Sequence, residues 1–192
     1  MESAVLMLRL ALMSMFTAGM LGTFVAADSL AVFTDTKANG GNAFSTGILQ
    51  IDDVPAAAVV TFATMAPGDS VIAGLVINNS GTLALRYAMS GVTTNFDGKG
   101  LADQLQLTIR VKTGNACAAE DGVIIYGPGA LSAGAFGSNA QGDQPGDRTL
   151  AASANETLCF KVLLPLATGN AYQNATTTAT FTFDAEQTAN NP

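Results

Sequence analysis

Histidine is absent from this 192-residue chain, and its absence excludes several classes of site. An HExxH zinc site, a Ser-His-Asp triad and a Cys-His pair each need an imidazole as metal ligand or as base near neutral pH. Acid–base catalysis by paired carboxylates does not require histidine, and neither do calcium sites made of oxygen ligands, so neither is excluded. We expect no enzymatic activity, no cofactor and no catalytic or metal-binding residues.

Basic residues are also scarce. Eight Lys and Arg stand against fifteen Asp and Glu, which gives a net charge of −7. Binding to phosphate backbones needs clustered cations, so we expect no nucleic-acid partner. Only 12% of residues are charged and 48% are hydrophobic, a composition typical of a chain that packs a core. The length suits one such domain plus a short targeting segment.

The longest apolar run lies at the amino terminus. Leu10–Gly22 is uncharged, follows Arg9 and precedes a stretch of small residues, as in a secretory signal peptide. The run is roughly a dozen residues, short of the ~20 that span a bilayer, although Phe24–Ala27 would lengthen it. We predict a signal helix within residues 1–31 and an exported protein, with a retained membrane anchor as the alternative.

Two cleavage points suit the preference of signal peptidases for small residues. One follows Ala26 or Ala27, and the other follows Ala31. We favour the second, so that the cut lies between Ala31 and Val32 and the mature chain begins at Val32.

Strict alternation of apolar and polar residues follows the signal and is typical of half-buried strands. Gln104–Lys112 and residues 178–184 show it most clearly, with polar or charged residues on one face. The apolar members are Leu105, Leu107, Ile109, Val111, Ala179, Phe181 and Phe183. Shorter alternations occur at Leu49–Ile51, Val71–Ile77, Leu83–Met89 and Leu158–Leu164.

Turn-forming residues separate these segments. Pro67-Gly68 suits the two central positions of a type II turn, and Asn78–Gly81 is a second strong turn signal. Many short strands, with no amphipathic helix after the signal, indicate an all-β fold, an antiparallel β-sandwich or jelly roll. We predict that residues 45–192 form this domain.

One region lacks the alternation. Gly127–Asp147 is rich in Gly, Ser, Ala and Asn and shows little periodicity. Such composition predicts a flexible surface loop over residues 127–147. A loop with a function of its own is the alternative.

The chain has two cysteines, Cys117 and Cys159. In an exported protein an even number of cysteines favours a disulfide, and the bridge would close a loop of about forty residues around the Gly-rich region. Two buried reduced thiols are the alternative. A redox site is disfavoured because the chain has no CxxC motif.

Three segments together resemble the TasA/camelysin family. Leu30–Ile51, LAVFTDTKANGGNAFSTGILQI, is similar to the family's junction between signal and first strand. Met65–Ala84, MAPGDSVIAGLVINNSGTLA, resembles its Pro-Gly-Asp turn, strand and Asn-rich turn. Thr168–Asn191, TGNAYQNATTTATFTFDAEQTANN, is similar to its closing strand. Their order, at both ends of the chain, makes coincidence a poor explanation.

This resemblance implies a jelly-roll subunit of extracellular or biofilm-matrix fibres. In fibre-forming members the N-terminal segment freed by signal removal inserts as a strand into the next subunit. Here that arm is residues 32–44, with Asn39–Asn42 as a hinge. The residues that the resemblance assigns to the donor strand are Val32, Phe33, Thr34, Asp35 and Phe44. A disordered tail is the alternative interpretation of the same segment.

The resemblance also implies partners and a location. Members are processed during export by a dedicated SipW-type signal peptidase, so we expect that enzyme as a partner. We further expect self-association into filaments and contact with other matrix proteins. The expected location is the extracellular matrix or the cell surface.

Two other functions belong to different classes. Camelysin is described as a surface metalloprotease, but a chain without histidine is a poor candidate for a catalytic zinc site. A monomeric adhesin that binds calcium or carbohydrate is the better alternative, because acidic residues occur near turns at Asp52-Asp53, Asp97, Asp143 and Asp147. They lack the alternating spacing of a calcium loop.

Overall fold

The computed structural model describes residues 46–54, 64–112, 117 and 120–191. These residues form two antiparallel β-sheets with only short helices between strands, which confirms the predicted all-β fold. The predicted signal helix (residues 1–31), the cleavage site and the N-terminal arm (residues 32–44) lie outside the described residues.

The described strands follow one another with short connections. In chain order they are β1 (Ile51–Val54), β2 (Ser70–Asn79), β3 (Leu85–Thr93), β4 (Gln106–Lys112), β5 (Val123–Ala130), β6 (Arg148–Leu150), β7 (Asn155–Leu163) and β8 (Ala179–Gln187). The helical segments are α1 (Leu101–Gln104) and two 3-10 turns, Leu131–Ala133 and Asn170–Tyr172. Sheet A has the strand order β1-β2-β7-β4-β5, and sheet B has the order β6-β3-β8.

Period-two alternation explains which strands form. In β4, Leu107 and Ile109 are fully buried while Gln106 is exposed, and the strand begins at Gln106, two residues later than predicted. In β8, Thr180 and Thr182 are exposed on the face opposite the core. Successive side chains of a strand point to opposite sides, so one apolar set is enough to orient each strand.

The core lies between the two sheets. Phe160 of β7 stacks on Phe181 of β8 with ring centroids 5.1 Å apart, and Tyr87 of β3 meets Phe136 edge to face at 5.8 Å. Full burial of such a side chain contributes about 1.5–3 kcal/mol. The fully buried members come from both sheets and include Leu75, Ile77, Leu85, Met89, Leu107, Ile109 and Leu158.

The sandwich has two ends, which we name by the direction of β8. At the lower pole β8 begins, and the loops 94–105 and 164–178 lie there. At the upper pole β8 ends, and the turn 80–84 joins β2 to β3. Each of these loops joins a strand of one sheet to a strand of the other, so the two sheets have the same upper and lower poles.

Both predicted turns are present. Gly68 has a φ of 98°, and the Asp69 N–H donates to the Ala66 C=O at 2.9 Å, as a type II turn requires. At the upper pole β2 continues through Asn79, so two of the four residues assigned to the second turn, Asn78 and Asn79, belong to the strand and the turn follows them. The buried Asn79 amide donates to the carbonyl of Leu83 at 2.8 Å and so holds that turn closed.

The predicted boundaries of the loop 127–147 need correction. Its first residues, Gly127–Ala130, belong to β5, and Leu131 and Phe136 are buried. Met89 and Phe136 exchange two backbone hydrogen bonds of 2.9 and 3.0 Å, which extends the edge of β3 beyond β6. The sequence does not predict this pairing of Phe136 with Met89, because a single aromatic residue among small residues produces no periodic pattern.

The same segment covers the outer face of sheet B near the upper pole. Arg86 lies on that face and is nevertheless buried, with its Nε 2.9 Å from Glu186 Oε1 and a bond to the Asn191 carbonyl. Gly137, with a φ of 67°, lies against Ala88 and leaves no room for a side chain. A buried guanidinium on an outward strand face therefore marks a covered surface.

Candidate functional site

The predicted donor-strand residues lie outside the described residues, as do Ala31 and Val32 of the cleavage site. Strand exchange would also require a sheet edge able to accept a strand, so the edges of the described sheets form the candidate site. Within the described residues the sheets end at four edge strands, β1 and β5 in sheet A and β6 and β8 in sheet B.

Two of these edges are short. β1 has four residues and carries exposed Asp52 and Asp53, and β6 has three residues. Short edge strands and edge charges are devices that prevent proteins from pairing edge to edge. Neither strand offers a long template for a second chain.

The β5 edge is longer but irregular. Its pairing with β4 shifts register between Leu107 and Ile109 and again between Ile109 and Arg110. Pro128 lies within the strand and has no N–H to donate. Bulges and proline interrupt an edge in the same way as charge does.

The β8 edge has neither a bulge nor a proline, and its two charged residues, Asp184 and Glu186, lie on the face of the sheet away from the core, where Glu186 pairs with Arg86. β8 runs for nine residues without proline, and its register with β3 continues unbroken from Leu85–Gln187 to Thr93–Ala179. Within the described part of the chain, no strand pairs with its outer edge. β8 is thus the long, regular edge among the four.

Backbone groups of β8 point outward at alternate residues. The Thr94 N–H donates to the Thr178 C=O at 2.9 Å, and the Thr188 N–H donates to the Ala84 C=O at 3.1 Å. Bonded pairs alternate along an antiparallel ladder, so the even-numbered residues of β8 bond to β3. The outward N–H and C=O groups belong to Ala179, Phe181, Phe183 and Ala185.

The side chains of these same four residues face the core and are only partly buried. On the neighbouring strand β3, the inward side chains of Leu85, Tyr87 and Met89 are almost completely buried. The difference arises because, among the strands that the structure describes, β8 has a neighbour on one side only. A further strand beside β8 would cover this apolar row and satisfy the outward backbone groups together.

The predicted cysteine pair forms a disulfide in the structure, with Cα atoms 5.5 Å apart. Cys159 lies on β7 and is buried, so the bridge belongs to sheet A, which does not contain β8. The adjacent Glu120 pairs with Lys161, and that hydrogen bond lowers the pKa of the Glu120 carboxyl. The bridge thus fastens the connection between β4 and β5 to the centre of sheet A.

A polar network joins the two sheets. The Tyr87 hydroxyl of β3 donates to Glu156 of β7 at 2.6 Å, and Arg148 of β6 binds the same carboxylate through Nε at 2.8 Å. Burial, together with the bond to Glu156, raises the pKa of Tyr87. The carboxylate in turn raises the pKa of Arg148. The network is charge-paired, and its role is structural.

Two of the acidic residues considered for calcium, Asp97 and Asp147, accept backbone hydrogen bonds within the chain. Asp97 accepts the backbone N–H of Lys99 at 3.0 Å and of Thr176 at 2.7 Å, which lowers its pKa. Asp147 accepts the N–H groups of Ser138 and Gln144 at 2.9 and 3.0 Å. These carboxylates cap loops, and the described residues include no cluster of three groups able to hold a metal.

Comparison with known proteins bears on the family. A family model described as camelysin metallo-endopeptidase matches residues 7–116. This chain belongs to the TasA/camelysin family. Members of this family are secreted or cell-surface proteins.

Other comparisons are more distant. A search of curated proteins finds no match. Among solved structures, this TasA/camelysin member is similar to the ASH/PapD-like domain of human CEP192 (PapD-like domain 7), with 15% identity, a TM-score of 0.30, and coverage of 82% of this chain and 95% of that one.

The family description implies a metal, and the residues of this member do not fit one. The chain has no histidine, and its two cysteines are joined to each other. Among the residues that the structure describes, no three carboxylates or thiols lie close enough to share an ion. A catalytic zinc normally has three ligands drawn from His, Cys and carboxylates, so we derive no proteolytic step. Separately, none of the described helices has the length and apolar character of a membrane span.

Proposed function

We propose that this chain is a structural subunit of extracellular fibres, in which residues 32–44 of one copy add as a strand to β8 of the next. The observation that carries the proposal is the regular β8 edge, which no strand among the described residues pairs, beside a half-covered apolar row. The family supports it, since its fibre-forming members exchange N-terminal strands. The chain acts as a building block and not as a protease.

Strand addition explains how such a subunit polymerises. The donor's backbone satisfies the outward groups of β8, while its alternate side chains pack on Phe181 and Phe183. The donor arm and the acceptor edge are different surfaces, so the contact is head to tail and does not close on itself. Each added copy presents a new free edge, and the assembly grows as a filament.

Export precedes assembly in this proposal. A SipW-type signal peptidase removes residues 1–31 and frees Val32 as the start of the arm. The product then assembles in the extracellular matrix or at the cell surface, where other matrix proteins are its further partners.

Negative-stain microscopy of the mature chain tests the proposal. We expect filaments from protein that begins at Val32 and none after deletion of residues 32–44. Ala185→Pro removes one outward N–H without removing a bond between β8 and β3, so it should abolish filaments while the protein stays folded. Ala185→Thr keeps that N–H and is the matched control.

Two results would reject the fibre function. One is a single small species on gel filtration at high concentration, with melting that depends on calcium, as expected of an adhesin. The other is filaments of normal length from the arm deletion.

A further inference from the structure

Resting on the fibre function proposed above, we infer that the arm lies antiparallel to β8 and enters from the lower pole, so that successive copies stack end to end. The upper pole of one copy then meets the lower pole of the next. This inference assigns the direction and the register of the exchanged strand.

The first observation is the position from which the arm leaves the sandwich. The Ile48 C=O accepts the N–H groups of Thr82 and Leu83 at 2.9 and 3.3 Å, and its own N–H donates to Thr82 Oγ1 at 2.8 Å. Gly81 leaves no room for a side chain against this segment. These bonds hold residues 46–50 at the upper pole, so the preceding arm starts there.

The second observation is the distribution of exposed apolar side chains. Ile48 and Leu49 at the upper pole are 57% and 41% exposed, and Phe96 and Leu166 in the lower-pole loops are 94% and 81% exposed. Large apolar side chains at opposite ends of a molecule suit a contact between copies that repeats end to end. An end-to-end stack covers both sets with a single contact.

These two observations determine the direction of the arm. In an end-to-end stack, the root of the arm lies next to the lower pole of the next copy, where β8 begins at Ala179. The free end of the arm then points towards Gln187. The arm therefore runs opposite to β8, which is also the slightly more stable pairing per residue.

Charge determines which face of the arm is buried. Phe33, Asp35 and Lys37 share one face, and burying unpaired charges is costly. The other face carries Val32, Thr34, Thr36 and Ala38. This second face must therefore lie on the apolar row of β8.

Chain length then suggests the register. With Ala38 opposite Ala179, Val32 lies opposite Ala185, so the arm covers the whole half-buried row. Residues 39–45 remain to cross between copies and can extend up to roughly 24 Å. The Asn/Gly content of this stretch lets the chain turn as it leaves the sandwich.

The register makes a specific structural prediction. Phe33 lies opposite Asp184, and Lys37 lies opposite Thr180, on the face of the sheet away from the core. Both are non-hydrogen-bonded pairs, with Cα atoms about 4.5 Å apart. If the arm instead ran parallel to β8, as it would between copies that lie side by side, the two pairs would be exchanged. Phe33 would then lie opposite Thr180, and Lys37 would lie opposite Asp184.

Cysteine cross-linking in filaments mixed from two single variants separates these arrangements. F33C mixed with D184C, and K37C mixed with T180C, should give disulfide-linked dimers on a non-reducing gel after mild oxidation. The swapped mixtures, F33C with T180C and K37C with D184C, use the same four variants as controls. We expect about tenfold less dimer from them, because a disulfide needs Cα atoms within about 7 Å.

The outcomes distinguish the register from the fibre function. Dimers from the swapped mixtures, or filaments that cross-link in neither set, overturn the antiparallel register while the fibre function stands. Absence of filaments from the unmodified mature chain removes both proposals.

A second measurement addresses the contact between poles. Phe96→Asp places a charge in the lower-pole contact and should raise the concentration needed for filaments about tenfold, since a buried unpaired charge is costly. Val54→Asp alters a side chain that is also exposed but lies on the β1 edge, and should leave that concentration unchanged. An unchanged concentration for Phe96→Asp overturns the end-to-end contact.

Discussion

Sheet A and sheet B differ most at their outer strands. Sheet A ends at a short acidic strand and at β5, which two register shifts and Pro128 interrupt. Sheet B ends on one side at β8, which is regular over nine residues. Three of the four edge strands are thus short, charged or irregular, which prevents them from pairing with another chain, and only β8 among the described edges is long and regular. This is what we expect if one edge has to bind a strand.

The two sheets also differ in how they are held. The disulfide is attached to sheet A, whereas sheet B is joined to sheet A by packing and by the bonds from Arg148 and Tyr87 to Glu156 of β7. The stabilising cross-link is therefore separate from the candidate acceptor edge, β8. Four experiments test or refine this division.

The largest expected effect comes from reducing the Cys117–Cys159 disulfide. The bridge spans 42 residues, and loss of its constraint on the unfolded chain should lower the free energy of unfolding by about 4 kcal/mol. Urea unfolding with and without reductant measures it. Because the bridge lies in sheet A, reduced protein that is still folded by circular dichroism should assemble normally, and lost assembly would contradict the division.

Glu156→Ala should produce the next largest effect. It leaves the Arg148 guanidinium without its carboxylate in a site where the two side chains are 25% and 11% exposed, at a cost of about 3 kcal/mol. The control is Glu120→Ala, whose side chain is 52% exposed and whose pair with Lys161 should contribute little to stability because solvent screens it. Equal urea midpoints for the two variants would show that the network does not couple the sheets.

A smaller effect should appear at alkaline pH. The pKa of Tyr87 is raised in the folded state, so the fold binds a proton that the unfolded chain releases near pH 10. The free energy of unfolding should fall by about 1.4 kcal/mol per pH unit above 10 from this group. Tyr87→Phe should remove that slope, and an identical slope in both proteins would contradict the assignment.

Pro128→Thr should have the smallest effect. It restores an N–H to β5 but leaves the register shifts, so the β5 edge becomes only slightly more able to pair. We expect filaments of unchanged diameter with a modest increase in lateral bundling by electron microscopy. Complete loss of single filaments would mean that Pro128 alone protects this edge.

Particular strands show how far sequence patterns reach. β4 and β8 were predictable because period-two alternation is a local property of each segment. β5 was not predicted, and its last residues were assigned to the loop 127–147, because Gly127, Pro128 and Gly129 interrupt any alternation there. Buried Arg86 carries no sequence signal, since its partners Glu186 and Asn191 are about a hundred residues away, and Asp143 of the covering segment is also distant in sequence.

The sequence alone determined the strand faces, the turn at Pro67-Gly68 and the cysteine pair, because each depends on neighbouring residues or on composition. The structure decided which strand ends a sheet. That depends on pairings between distant segments, such as Leu85 with Gln187. A strand's own residues encode which face is buried but not whether another strand lies beside it, so the candidate acceptor edge emerged only from the folded chain.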